Sequence, residues 1–119
     1  MTHAYVKPHK RYSEDQIKVI EETYTQAGKK NNVLVIPVGL AFDLAYKEDP
    51  SIELHKPYGT HPNLLGTYLA SCTVFASIYR KSPIDLEYDY FGSISNKDKV
   101  FLQRIAHEAT SEYLNLLLE

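Results

Sequence analysis

Four consecutive apolar residues, Val33, Leu34, Val35 and Ile36, stand between the Asn31-Asn32 turn and Pro37, and they constrain the fold more than any other stretch of the chain. A short apolar run without alternation is the pattern of a strand buried on both faces of a parallel sheet, because a strand with one wet face alternates apolar and polar residues. The run follows Ser13-Glu14-Asp15-Gln16, which has the form of a capping box, and Ile17, Ile20, Tyr24 and Ala27 at helical spacing before Gly28. The spacing predicts a helix over residues 14–29. Residues 2–6 are short, mixed and closed by Pro8, which suits a terminal strand. Strand, helix and strand imply one right-handed crossover, with residues 33–38 a buried strand running parallel to residues 2–6. The expected fold class is α/β, with few parallel strands flanked by helices.

Beyond the run, residues 37–39 turn the chain out of the sheet, and residues 40–47 form a short helix that Asp49-Pro50 must end. Residues 51–63, with Pro57, Gly59 and Pro62, read as a loop after a short extended piece. A strongly apolar helix is expected over residues 64–80, with Leu65, Leu69, Val74, Phe75 and Ile78 facing inward and Pro83 beyond its end. Residues 83–92 are irregular. A second capping box, Ser95-Asn96-Lys97-Asp98, opens a final helix with Val100, Phe101, Ile105, Ala109 and Tyr113 on one side.

The 119 residues make one unit, large enough for a single core. A net charge of −2 supplies no basic face for nucleic acid or an anionic membrane surface. With 44% hydrophobic and 12% aromatic residues the chain is not a disordered tail, and the single Cys72 excludes an intrachain disulfide or a cysteine zinc cluster. No apolar run reaches the length of a membrane span and no apolar signal segment follows Met1, so the chain reads as soluble and untargeted.

His61 sits between Gly59-Thr60 and Pro62, in a loop just before a helix, where a rigid turn can aim its ring at a site. Four pieces in order, Val38-Gly39-Leu40-Ala41-Phe42, Leu54-His55, Tyr58-Gly59-Thr60-His61-Pro62-Asn63 and Gly66-Thr67-Tyr68-Leu69-Ala70, resemble the C-terminal portion of SGNH (GDSL-like) hydrolases. Met1-Thr2-His3-Ala4-Tyr5 is similar to the strand that precedes this portion, so the resemblance spans residues 1–119. It implies a partial three-layer, flavodoxin-like sandwich and places His61 as the general base of a serine esterase, lipase or deacetylase. A base of that kind takes the serine proton during attack on the ester and returns it to the leaving alcohol.

Two departures weaken that role. The family's Gly-Asp-Ser nucleophile turn and its oxyanion glycine and asparagine have no counterpart, since Gly92-Ser93-Ile94 lies after the histidine and lacks the aspartate. Tyr58 stands where the family has its orienting aspartate, and a phenol is neutral at pH 7. Loss of that carboxylate costs about 10⁴ in turnover in a serine protease, with Glu53 and Asp43 the nearest substitutes in sequence.

The remaining candidates have bland readings. His55 and His61 lack the further ligands of a metal site, and His3, His9 and His107 are scattered, so no metal or cofactor is expected. Tyr88, Tyr90 and Phe91 suit a core edge or the rim of a cleft, and Cys72 suits a small core position. The expectation is therefore a C-terminal esterase fragment, inactive alone, that takes an ester or an acetylated carbohydrate when an N-terminal half completes it. The alternative is a non-catalytic α/β interaction module. Either form leaves an apolar edge open to self-association.

Overall fold

A computed structural model describes all 119 residues, and its regular secondary structure is helical. Four helices follow one another: α1 (Gln16–Asn31), α2 (Val38–Glu48), α3 (Leu64–Tyr79) and α4 (Asn96–Leu114). No sheet is present, and a lone antiparallel bridge between His55 and Pro62 is the extent of β-pairing. This corrects the expected α/β sandwich. Residues 2–6 and 33–36 carry no strand ladder, and Val38 belongs to α2. A strand exists by pairing, and the segments meet only end on, where the Met1 amino group donates to the Ile36 carbonyl at 2.8 Å.

Helices α3 and α4 are capped at their N-termini by local side chains, whereas α1 and α2 are not. Ser95 caps α4, its hydroxyl accepting from the Asp98 N–H at 3.2 Å as the capping-box pattern requires. Asn63 caps α3 by accepting from the Gly66 N–H at 3.0 Å. The first capping box does not form: α1 starts at Gln16 behind Asp15, which makes no side-chain cap bond. Gln16 instead turns its amide oxygen to the Tyr5 N–H at 2.7 Å, tying the N-terminal segment to the start of the helix.

The core lies where α2, α3 and α4 meet. Ala41 and Ala45 of α2 let α3 and α4 approach closely, and Phe42, Leu54, Leu69, Cys72, Leu102, Ile105 and Ala106 fill the space between. Gln103 is 2% exposed, yet every polar group it has is used. Its amide nitrogen donates to the Tyr68 hydroxyl at 3.0 Å and the Leu86 carbonyl at 2.9 Å, and its oxygen accepts from the Asp85 N–H at 3.2 Å. The irregular residues 83–89 are thereby fastened onto the core. Arg104 of α4 clasps Glu48 of α2 at 2.6 Å and Glu108 at 2.9 Å on the rim.

Helix α1 is different. It packs against α2 and no other helix, with one hydroxyl contact to α4 between Thr25 and Tyr113 at 2.6 Å. The molecule is consequently a slab, 39 × 35 Å across and 21 Å thick, about two helix diameters.

Candidate functional site

The loop between α2 and α3 folds into a small hairpin that carries the histidines. Lys56 N–H donates to the His61 carbonyl at 2.8 Å, and Asn63 N–H donates to the Leu54 carbonyl at 2.9 Å. Three glycines hold this hairpin in place. Gly59 turns its tip at φ +79°, and its carbonyl accepts from the Val6 N–H at 3.0 Å. A Cβ on Gly66 would collide with the Leu54 carbonyl oxygen, and one on Gly39 with the Thr2 carbonyl oxygen. The N-terminal segment, α2, the hairpin and α3 thus meet backbone to backbone, and the imidazoles of His3, His55 and His61 gather there.

His3 and His55 form the buried centre of the cluster. The Leu54 N–H donates to the Tyr46 hydroxyl oxygen at 3.2 Å, and the hydroxyl lies 2.6 Å from His55 Nδ1. His55 Nε2 is 3.0 Å from His3 Nδ1. His3 Nδ1 also lies 3.3 Å from the Ala4 carbonyl, which only accepts, so a hydrogen on either His3 Nδ1 or His55 Nε2 completes the chain and sets its direction. The His3 ring stacks on Phe42 with centroids 4.9 Å apart, and His55 meets its edge.

Burial first, and then the neighbouring His3, lower the His55 pKa to about 4, with the Ala4 carbonyl opposing them. His3 is lowered in the same way, by burial first and by repulsion from His61, with Ala4 opposing. Burial raises the Tyr46 hydroxyl. At neutral pH the three groups are an uncharged, hydrogen-bonded joint between residues 52–56 and the N-terminal segment.

His61 is exposed on the second arm of the hairpin. Its ring and that of Tyr58 stand edge to face with centroids 5.6 Å apart, and no hydrogen bond joins them. Asp43 is held by Lys47 at 2.7 Å, and Glu53 is exposed; neither bonds His61. The Ser93 hydroxyl likewise bonds no histidine. His61 thus has neither a nucleophilic hydroxyl nor a carboxylate among its hydrogen-bond partners. The descriptions hydrolase, esterase and α/β are therefore corrected for this chain, which is a small helical unit without that constellation.

A cleft of about 980 Å³ opens beside the joint, between the N-terminal segment and α2. Tyr5, Tyr12, Phe42 and Tyr46 supply rings, and two lysines, Lys7 and Lys56, face three carboxylates, Glu14, Asp43 and Glu53. His61 lies outside it. No three His, Cys, Asp or Glu side chains are placed to hold a metal ion, and no helix is long and apolar enough to cross a membrane.

The remaining sequence candidates have local partners. His9 stacks on Tyr5 at 4.2 Å, and His107 Nδ1 accepts from the Ser82 hydroxyl at 2.8 Å while that oxygen accepts from the Ile84 N–H. Cys72 is buried, and burial pushes its thiol up to about 11. Tyr68 rises to about 12, burial again being the largest cause. Phe91 is 89% exposed at the tip of its loop rather than on a core edge. Tyr46 carried no signal in the sequence, and His3 carried only its place in the short mixed segment of residues 1–5.

No family model matches the chain, and no curated protein matches it. Among solved structures it is similar to the crystal structure of a DUF4886 family protein from Bacteroides uniformis, with a TM-score of 0.82 and 19% sequence identity. The likeness covers 99% of this chain and 48% of that chain, so this chain spans about half the length of the protein it resembles. At that identity the likeness shows the fold alone.

Proposed function

We propose that this chain works as a helical interaction module whose uncovered side is completed by a second polypeptide. The observation that carries the reading is surface. The chain exposes 7582 Å², whereas a compact monomer of 13.6 kDa exposes about 6,600 Å². The excess, about 1,000 Å², is close to the roughly 800 Å² that one partner contributes to a standard protein interface. The added length of the Bacteroides uniformis protein is consistent with a second portion lying against this one.

The test uses the chain alone. We expect it to bind a hydrophobic dye such as anilinonaphthalene sulfonate while keeping near-UV circular dichroism and a cooperative melt, the signature of a folded protein with a bare apolar patch rather than of a molten state. A dye-silent chain with the same cooperative melt rejects the module reading.

Ester hydrolysis by a completed unit is the rival, resting on the resemblance of residues 58–63. It demands that hydrolysis of a short-chain aryl ester or an acetylated carbohydrate appear when a Gly-Asp-Ser-bearing half is supplied. It also demands that His61→Ala abolish that activity. Activity meeting both conditions would replace the present reading.

A further inference from the structure

We propose that residues 33–36 are a docking edge that pairs, backbone to backbone, with an extended uncharged strand of a second polypeptide. The proposal rests on the module reading above and names its interface.

The edge is preformed. Over residues 33–36 the chain runs without a turn or bend. Its near end is fixed by the Val33 N–H donating to the Gly28 carbonyl at 3.0 Å, and its far end by the Met1 amino group on the Ile36 carbonyl. Val35 lies on Gly28 so closely that a Cβ there would collide with its Cγ2. That contact seats the edge on α1, so little conformational freedom is left to lose on docking.

Along the same stretch the N–H groups of Leu34, Val35 and Ile36 and the carbonyls of Val33, Leu34 and Val35 have no partner in the chain. Val33 and Leu34 are 60% and 53% exposed. A groove of about 390 Å³ lies beside them, floored by Tyr24, Ala27 and Gly28 of α1. No charged side chain lines it, and the single charge there, the Met1 amine, is already bound. In an extended chain alternate residues turn their N–H and C=O to the same side, and with Val33 turned to Gly28 of α1 the outer side carries the Leu34 N–H and C=O and the Ile36 N–H. These bare groups, beside an uncharged apolar groove, are complementary to one occupant chemistry: another strand, which supplies the missing hydrogen bonds with its backbone and fills the groove with alternate apolar side chains. The similar protein of twice the length carries enough further chain to contain such a strand.

The test follows backbone amides in the full chain by NMR hydrogen exchange. The probe is an end-blocked hexapeptide of alternating Thr and Val at millimolar concentration. Alone, the amides of Leu34 and Ile36 should exchange as fast as free peptide; with the probe they should slow at least tenfold, while the amide of Val35, turned to the other side, should not. The same hexapeptide N-methylated at every amide should give no slowing, and Leu34→Pro, which removes one of the edge amides, should lose the effect while near-UV circular dichroism stays unchanged. Val33→Lys, which keeps the backbone, should weaken the effect several-fold. Unslowed amides at millimolar probe overturn the proposal, as does equal slowing by the methylated peptide. Protection without any probe, accompanied by a dimer in sedimentation, assigns the edge to a second copy and also overturns it. Dye binding without amide protection refutes the edge and leaves the module reading standing, whereas loss of both removes the two together.

Discussion

Helices α1 and α3 each contain 16 residues, yet α3 buries seven of them and α1 buries one, Gly28. Helix α3 is held by its surroundings: Leu69 and Ala76 are fully enclosed, and Thr73 and Ser77 hide their hydroxyls by bonding carbonyls four residues back at 2.8 Å. Helix α1 packs on α2 alone among the helices and leans more on contacts of its own. Gln26 reaches Glu22 at 3.1 Å, Lys29 and Lys30 sit in the last turn where the helix dipole favours cations, and Asn32 closes the end in a left-handed conformation. A lone helix of this length is marginal in water, because most helical stability in proteins comes from packing. The difference separates a finished core, α2 to α4, from a flank that is built but not covered. The following expectations break or sharpen that contrast, from the largest effect to the smallest.

Leu69→Ala removes a fully enclosed side chain from the finished core and should lower stability by about 3 kcal/mol in urea unfolding. A loss below about 1 kcal/mol would mean that the core collapses around the vacancy, and the contrast with α1 would fail.

The histidine joint gives the next largest effect, and it depends on pH. His55 has a pKa of about 4 when folded against an ordinary value of 6.5, so between these values the unfolded chain binds more protons. The stability conferred by the neutral form is present above pH 6.5 and is lost as pH falls toward 4, with His3 adding in the same direction. The loss should be about 2 kcal/mol after allowance for solvent screening. Urea midpoints measured across that window should slope steeply for the natural chain and much less for His55→Gln. Equal slopes would show that the imidazole is not buried as a neutral group.

Gly66→Ala sets two effects against each other. Helix propensity favours alanine by about 1 kcal/mol, while overpacking costs about 1 to 3 kcal/mol. The obstacle is the Leu54 carbonyl, a backbone atom that cannot swing aside, so a net loss of about 1 kcal/mol is expected by thermal melting. A stabilised variant would show that the hairpin floats free of α3.

Legibility in the sequence follows the range of the interactions. Residues 64–80 and the Ser95 cap were readable because a helix and its cap are set within a few positions, and α3 and α4 stand there. The Ser13 box misled for the same reason: its Gln16 is claimed by Tyr5, eleven residues away, and no local rule contains that competitor. The run at residues 33–36 was read as a buried strand on composition, but burial on both faces needs neighbours, and this chain brings none. The histidine joint links positions 3, 46 and 55, so spacing had no means of assembling it. His61 was placed by resemblance, and the structure leaves its ring on the surface with Tyr58 alone beside it.

The smallest expected effect is the most exposed to refutation. Val33→Ala and Val19→Ala each truncate an apolar side chain that is about 60% open to water, 60% for Val33 and 63% for Val19. Little transfer free energy is at stake where little area is covered, so each should change stability by less than about 0.5 kcal/mol, against about 3 for Leu69→Ala. Val33 is the sharper case, because its side chain lies at the start of the bare edge, where any cover in solution would bury it. A loss above about 1 kcal/mol for Val33→Ala, with Val19→Ala near zero, would mean that residues 33–36 are already covered in the purified protein and that the flank is as finished as the core. If both variants are near neutral, the uncovered side belongs to the folded chain itself, available to a second polypeptide at no cost in disrupted packing.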